Sequence, residues 1–159
     1  MPVYAVYVLA LLIGVIAGLR AMTAPAAVSW AAQLGWLPVT GTPLAFMGHA
    51  YTPYIFTLLA AIEMVTDQLP QTPSRKVPMQ FGARLASGGL CGATIGASVG
   101  ALLPGLVAGV AGAVIGTLGG ALARSKLAKS FGKDLPAALL EDLVAVVGAI
   151  VIVSTPLTL

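Results

Sequence analysis

The sequence has very few charged residues. Asp, Glu, Lys and Arg together make up 8% of its 159 residues, whereas hydrophobic residues make up 58%. In a water-soluble globular protein about 25% of the residues are charged. This chain has too little polar material to cover a water-soluble surface, so its composition predicts an integral membrane protein.

Cysteine and histidine each occur once, as Cys91 and His49. A single cysteine excludes an intrachain disulfide and a multi-cysteine metal site. A lone histidine with no Asp, Glu or Cys close to it in the sequence does not predict a metal ligand. Ser29, Ser87 and Ser98 have no neighbouring base of the kind that activates a nucleophile. We therefore predict no metal site, no cofactor and no enzymatic activity.

Basic residues exceed acidic residues by eight to five, which gives a formal net charge of +3. These basic residues are dispersed among apolar segments and form no basic face with interleaved aromatic residues, as a nucleic-acid-binding surface requires. Nucleic acid is therefore not an expected partner. The expected partners are membrane lipid, an ion or small solute, and further copies of this chain in a homo-oligomer.

Six apolar segments predict an all-α transmembrane helical bundle of about six spans, forming one domain over residues 1–159. The segments lie at 3–19, 22–37, 54–69, 81–103, 105–123 and 135–155. Their lengths approach the roughly 20 residues that a helix needs to cross a bilayer. The first segment lacks the basic region of a signal peptide, so we expect it to be retained. The second segment is predicted either to span the membrane or to enter and return.

Two hydrophilic stretches separate these segments. Pro70–Pro78 contains three prolines with Arg75 and Lys76, so it predicts an aqueous loop. A second predicted loop follows the fifth segment and carries Arg124, Lys126, Lys129 and Lys133.

The basic residues also predict an orientation. If all six segments cross, every Lys and Arg lies on one side, while both termini and the connection containing His49 lie on the other. The positive-inside rule makes the basic side cytoplasmic. If the second segment is re-entrant, Arg20 moves to the opposite side, an arrangement that the rule also tolerates.

Glycine recurs at every fourth position in the fourth segment and at a similar spacing in the fifth. Four residues advance a helix by about 400°, so each set forms a stripe on one face. Such stripes let two helices approach closely in lipid. The residues are Gly88, Gly92, Gly96 and Gly100, followed by Gly105, Gly109, Gly112, Gly116 and Gly120. We predict a glycine-zipper hairpin; the alternative is a stripe that meets its copy in another subunit.

Four acidic residues lie within or at the ends of the apolar segments. Glu63 and Asp67 are four residues apart and share one helix face, with Glu63 about 6 Å deeper. Glu141 and Asp142 are adjacent and point about 100° apart, so at most one of them should face the same cavity. In the six-span topology these four carboxylates lie in the cytoplasmic half of the membrane, together with Arg20 and Arg84. We predict that they form one polar cluster.

Two interpretations of this cluster are open. In the first, Arg20 and Arg84 pair with the acids and stabilise helix ends. In the second, the cluster lines a water-filled vestibule in which a carboxylate binds a cation or a proton and an arginine provides the counter-charge. Two arginines neutralise only two of four carboxylates, so a remaining acid would have to be protonated or carry a cation.

Short motifs around these residues resemble a bacterial integral-membrane family, the DUF4126-like domain of unknown function. The motifs are Gly-Leu-Arg ending at Arg20 and Glu-x-x-x-Asp-x-x-Pro, which falls on Glu63, Asp67 and Pro70, followed by a helix that carries Arg84. The resemblance covers most of the chain. It implies a multi-pass protein of the bacterial inner membrane and implies no substrate, because that family resembles no assigned enzyme.

We expect a small inner-membrane transporter or channel-like protein for an ion or small solute, with both termini in the periplasm. Its expected binding residues are Glu63, Asp67, Glu141, Asp142, Arg20 and Arg84. The alternative is a non-transporting structural or assembly protein that oligomerises or binds partner helices through its glycine stripes.

Overall fold

The fold is helical throughout the described part of the chain. A computed structural model describes residues 2–71 and 73–157, and in these residues the regular structure consists of six α-helices and one short 3-10 helix. The α-helices are α1 Val3–Leu19, α2 Thr23–Gln33, α3 Thr52–Thr66, α4 Pro78–Ala97, α5 Leu102–Phe131 and α6 Asp134–Ser154, and the 3-10 helix is Ala45–Gly48. The predicted all-α class is confirmed for these residues.

Length and apolar composition together distinguish α5 and α6 from the other helices. Within the described residues, α5 and α6 are long and apolar enough to cross a membrane. The apolar helices α1 and α3 have 17 and 15 residues, fewer than the roughly 20 that a full crossing takes. Length and composition therefore make α5 and α6 candidate crossings, and the bundle of six spans stays a prediction.

Helix α2 is shorter than the predicted segment 22–37. It has 11 residues, which corresponds to about 16 Å. Gly35 ends it with a positive φ of 81°, while Trp36 N–H donates to the carbonyl of Ala31 and Gly35 N–H donates to that of Ala32. This pair of hydrogen bonds is the Schellman motif, which satisfies the last carbonyls of a helix as the chain turns away.

The boundary between α4 and α5 also differs from the prediction. Helix α4 ends at Ala97, and the chain turns through Gly100, which has a φ of 76°. Helix α5 begins at Leu102, so Pro104 lies in its first turn, where a proline costs no intrahelical hydrogen bond. Gly100 therefore belongs to the turn and does not extend the glycine stripe of α4.

Helix α5 continues well beyond the predicted segment 105–123. It runs to Phe131 and ends at Gly132, which adopts the left-handed conformation with a φ of 68°. Three basic residues predicted to lie in a loop, Arg124, Lys126 and Lys129, are consequently helical. The physical reason is that no proline or glycine interrupts the chain between Gly120 and Gly132.

Helices α1, α4 and α5 meet through glycine. A Cβ atom on Gly109 of α5 would lie 2.9 Å from the Cα of Gly92 in α4, and one on Gly116 would lie 2.9 Å from the Cα of Val15 in α1. The glycines of α5 thus serve two neighbours, with Gly105 and Gly109 against α4. The two glycines that lie against α1 are Gly112 and Gly116.

Two α4 glycines and two α1 glycines complete these contacts. Gly88 and Gly96 of α4 lie against the α5 backbone, together with Gly92. Gly14 and Gly18 of α1 lie against Gly109 and Ala113–Thr117, and they were absent from the predicted stripes. The glycine faces of the described chain therefore pack against each other within one molecule.

The remaining helices surround this core unequally. Helix α6 packs against α5, α2 and α1, whereas α3 packs against α2 and the 3-10 helix. In α3 only Pro53 and Ala60 are buried. Large apolar side chains are exposed along α3 and α6, among them Ile55, Leu58, Ile62, Leu143, Val147 and Ile150.

We predict that Gly109→Ala destabilises the protein, because overpacking of a tight contact costs about 1–3 kcal/mol. The matched control is Gly119→Ala in the same helix, since a Cβ there meets nothing within 4 Å. The control should be neutral or should gain up to about 1 kcal/mol from helix propensity. Thermal denaturation of both variants in detergent, followed by circular dichroism, measures the difference; equal midpoints would contradict the packing described.

Candidate functional site

Arg20 lies at the centre of the charged residues. It follows the last residue of α1 in an extended conformation, and its side chain is fully buried. Nη1 donates to Asp67 at the end of α3, and Nε donates to Oδ1 of Asp142 in α6 at 2.5 Å. Nη2 lies 4.0 Å from Oε2 of Glu141. One guanidinium therefore connects three helices.

Arg84 contacts both the end of α1 and the acids of α3. Its side chain is 2% exposed, and Nη1 donates to the carbonyls of Gly18 at 3.0 Å and Leu19 at 2.7 Å. These carbonyls belong to the last turn of α1, where a cation is favoured by the helix dipole. Nη2 lies 3.6 Å from Asp67 and 3.8 Å from Glu63.

Glu63 caps the start of α2. Its two carboxylate oxygens accept hydrogen bonds from the backbone N–H groups of Ala21 and Met22, each at 2.8 Å. The first N–H groups of a helix have no partner within the helix, and a carboxylate there is favoured by the dipole. Ser87 of α4 donates to the carbonyl of Ala21. The break between α1 and α2 is therefore held by α3 and α4 side chains.

The adjacent residues Glu141 and Asp142 both join this network. Asp142 accepts from Arg20 and lies 3.4 Å from Nε2 of Gln68. Glu141 accepts from two further arginines on its other side. The Glu141 and Asp142 side chains point about 100° apart. Both have arginine partners, because guanidinium groups approach α6 from α1, from α5 and from the loop before α4.

Those two further arginines, Arg75 and Arg124, were not predicted as site residues. Arg75 donates to both oxygens of Glu141, at 2.5 and 2.9 Å, and its side chain is only 9% exposed. Arg124 donates to both oxygens of Asp134, at 3.1 and 2.6 Å, and to Glu141 at 3.5 Å. No sequence signal marked them, because both lie outside the predicted apolar segments.

We define the charged centre as four arginines and four carboxylates: Arg20, Arg75, Arg84, Arg124, Glu63, Asp67, Glu141 and Asp142. Each of these arginines has a carboxylate within 4.0 Å. The shortage of arginines is smaller than predicted, because Arg75 and Arg124 also bind Glu141. Arg124 is shared with Asp134, so four arginines face five carboxylates in the connected network, and each of these carboxylates has an arginine within 4.0 Å. An unpaired carboxylate no longer argues for a bound cation.

Gly120 makes room for one of these ion pairs. A Cβ on Gly120 would lie 3.0 Å from Nη1 of Arg75 and 3.3 Å from Oε1 of Glu141. The sequence placed Gly120 at the end of the α5 glycine stripe, but its neighbours are this ion pair and the side chain of Leu19. The absence of a side chain at this position leaves space for the Arg75–Glu141 ion pair.

A polar cavity of about 460 Å³ opens beside the charged centre. Its polar lining residues are Asp67, Gln68, Ser74, Arg75, Gln80, Arg84, Arg124 and Asp134. Asp67, Arg75, Arg84 and Arg124 belong to both the cavity wall and the charged centre. Their contacts link the cavity to the buried Arg20.

The position of Arg20 also bears on topology. Arg20 contacts Asp67, which Arg84 also approaches, and Glu141, to which Arg75 and Arg124 donate. Arg20 therefore lies at the same end of the bundle as the other three arginines. The alternative arrangement, with Arg20 on the side opposite the other basic residues, is not observed.

No family model, curated protein or solved structure matches the chain. The functional argument therefore rests on the charged centre and its cavity.

We predict that Asp142→Asn strongly destabilises the protein, because it removes one of the negative charges that balance the fully buried Arg20. Breaking such a pair costs about 3–5 kcal/mol. Asp134→Asn is the matched control in the same helix, since the Asp134 side chain is 62% exposed, and loss of its pair with Arg124 should cost less than about 1 kcal/mol. Equal losses in the free energy of unfolding, measured with denaturant in micelles, would contradict the ranking.

Proposed function

We propose that the protein is a small multi-pass inner-membrane transporter or channel-like protein for an ion or small solute. The charged centre and its cavity form the cytoplasmic half of the pathway. The observation that carries this proposal is that Asp67 and Arg84 belong to both the cavity wall and the buried ion-pair network. A solute in the cavity therefore meets charges that are coupled to α1, α3 and α4.

Three observations support the membrane placement. Helices α5 and α6 are long and apolar enough to cross. Large apolar side chains cover the outer faces of α3 and α6, as a lipid-facing surface requires. The backbone groups at the break between α1 and α2 are bonded to Glu63, Arg84 and Ser87, and non-helical backbone at membrane depth needs such partners.

Orientation follows from the charged end. All four arginines of the charged centre lie together, and the positive-inside rule places this end in the cytoplasm. Helix α1 ends there and α6 begins near it, so six transits would place both termini in the periplasm. We propose this topology, and we propose that the chain is related to the DUF4126-like family that its motifs resemble.

Asp67 is the residue that we propose to bind the solute or exchange a proton. It lies at the C-terminal end of α3, its side chain is 15% exposed, and it faces the cavity. Glu63 is less available, because both of its oxygens accept backbone hydrogen bonds. Glu63 therefore acts as a positioning residue, while Arg20 and Arg84 balance the charge of Asp67.

The balance of charges constrains the mechanism. A cation or proton that reaches Asp67 has to replace a contact with Arg20 or Arg84, so binding is coupled to rearrangement of an arginine. Within residues 2–71 and 73–157, Nη2 of Arg20 and Nε of Arg84 are buried without a hydrogen-bond acceptor. These two donors are available to the oxygen atoms of water or of a solute as the contacts exchange.

Arg75 is the gate in this proposal. It comes from the proline-rich loop, lines the cavity, and binds Glu141, which lies 4.0 Å from Arg20. Breaking its two hydrogen bonds to Glu141 would open a route from the cavity towards Arg20. Because Gly120 has no side chain, it leaves the space that Arg75 occupies when it is bound to Glu141.

The alternative assembly role has less support. It relied on glycine stripes that are free to bind partner helices, but Gly92, Gly109 and Gly116 lie against backbone of the same chain. A homo-oligomer would have to form through other surfaces, such as the exposed apolar face of α3 or α6.

We predict that Asp67→Asn abolishes ion or proton flux in liposomes that contain purified protein, while Asp134→Asn retains it. Both aspartates line the cavity, but only Asp67 contacts the buried Arg20. Flux is measured with a pH-sensitive dye and with ion-selective electrodes, after size-exclusion chromatography confirms that each variant is folded. The proposal fails if wild-type protein carries no tested ion, or if both variants behave alike.

We predict that the Arg75→Gln variant carries a higher flux than wild-type protein, because the substitution removes the positive charge that binds Glu141. Lys76→Gln is the control, since it removes one positive charge from the same loop at an exposed residue that has no ion pair among the described residues. The same liposome assay compares initial rates. A folded Arg75→Gln variant with unchanged or lower flux would refute the gate and leave the role of Asp67 standing.

A further inference from the structure

Arginine and lysine are used differently in this protein. Each arginine has a carboxylate partner within 4.0 Å. The four lysines are exposed, and none forms an ion pair in the part of the chain that the structure describes. The acids are thus occupied by arginines, and the net positive charge of the protein lies on Lys76, Lys126, Lys129 and Lys133.

Three of these lysines lie where α5 extends beyond its uncharged part. Residues 102–123 of α5 carry no charge and measure about 33 Å along the axis. This length matches the hydrocarbon core of a bilayer, which is about 30 Å thick. The remaining helical residues, 124–131, therefore lie at the depth of the lipid headgroups on the charged side.

Within this extension, an exposed stripe changes from apolar to basic. Leu122, Lys126 and Lys129 are spaced by four and three residues, so they share one face of the helix, and all three are exposed. Lys126 lies about 6 Å and Lys129 about 10 Å beyond Leu122 along the axis. Lys133 follows directly after Gly132, where the helix ends. The stripe thus enters the headgroup layer with an apolar residue first and ammonium groups after it.

We infer that Lys126, Lys129 and Lys133 form a docking surface for the phosphate groups of anionic phospholipids in the cytoplasmic leaflet. The compact, rotatable ammonium group of lysine suits phosphate oxygens, and this leaflet carries a negative surface potential that attracts basic segments beside a membrane span. The inference rests on the membrane placement proposed above and does not depend on transport.

Lipid is the occupant because of depth and sequence context. The stripe begins at the end of the uncharged part of α5, a helix that is long enough to cross the bilayer, so the lysines follow the hydrocarbon boundary directly. Between the three lysines the sequence holds a single aromatic residue, not the series of aromatic residues on which successive nucleic-acid bases stack. Phe131, the neighbouring aromatic residue, lies at the end of the helix and is half-exposed.

The test uses the full-length protein in vesicles of equal parts phosphatidylcholine and phosphatidylglycerol. Electron paramagnetic resonance of spin-labelled versions of each lipid reports how much of each is immobilised by the protein. Wild-type protein should immobilise phosphatidylglycerol preferentially, and this preference should decrease as salt is raised. The triple variant Lys126→Gln, Lys129→Gln, Lys133→Gln should lose the preference.

Two control variants make the result specific. Lys76→Gln removes one lysine outside the stripe and should keep most of the preference. Lys126→Arg, Lys129→Arg and Lys133→Arg together preserve the charge and should keep the preference as well. A triple Gln variant with the wild-type preference would overturn the inference, and so would wild-type protein that immobilises both lipids equally.

The outcomes also separate this inference from the membrane placement. If neither lipid is immobilised, the membrane placement fails and this inference fails with it. If both lipids are immobilised without preference, the placement stands and the lysine surface is refuted. If soluble polyglutamate binds the detergent-solubilised protein more tightly than phosphatidylglycerol does, the assignment to lipid is overturned in favour of an acidic protein segment.

Discussion

The break between α1 and α2 is the constraint on which the charged end depends. At residues 18–22 the chain leaves one helix and enters the next, which exposes carbonyl groups on one side and N–H groups on the other. Arg84 binds the carbonyls, Glu63 binds the N–H groups, and Ser87 binds the carbonyl of Ala21. Buried backbone groups need hydrogen-bond partners, and at this break the charged and polar side chains provide them.

This arrangement explains why the two interpretations of the charges are not exclusive. Glu63 and Arg84 satisfy backbone groups, as the structural interpretation requires, while Asp67 faces a cavity, as the functional interpretation requires. The glycine contacts also help to position the residues of the charged centre. Because Gly14 and Gly18 let α1 approach the α5 backbone closely, the end of α1 is held where Arg84 can bind its last carbonyls.

Much of this structure follows from local sequence rules, and the rest depends on tertiary contacts. The continuous apolar run predicted the bounds of α1. The proximity of Arg20, Arg84 and the acids was predicted from the alternating direction of successive segments. The end of α2 at Gly35 and the end of α4 near Gly100 both use glycines with positive φ, a property that the sequence permits but does not require. The partners of Glu141 depended on how the proline-rich loop folds back, which no periodic pattern encodes.

The ion pairs of Arg20 join residues that lie far apart in the chain. Arg20 is the twentieth of 159 residues, while Asp142 is 122 residues later in α6. During synthesis from the N-terminus, Arg20 and then Asp67 emerge well before α6. Arg20 is therefore without this partner until α6 has been synthesised, and the charged centre is completed only after that. Until α6 arrives, the folding chain has to accommodate an incompletely neutralised arginine.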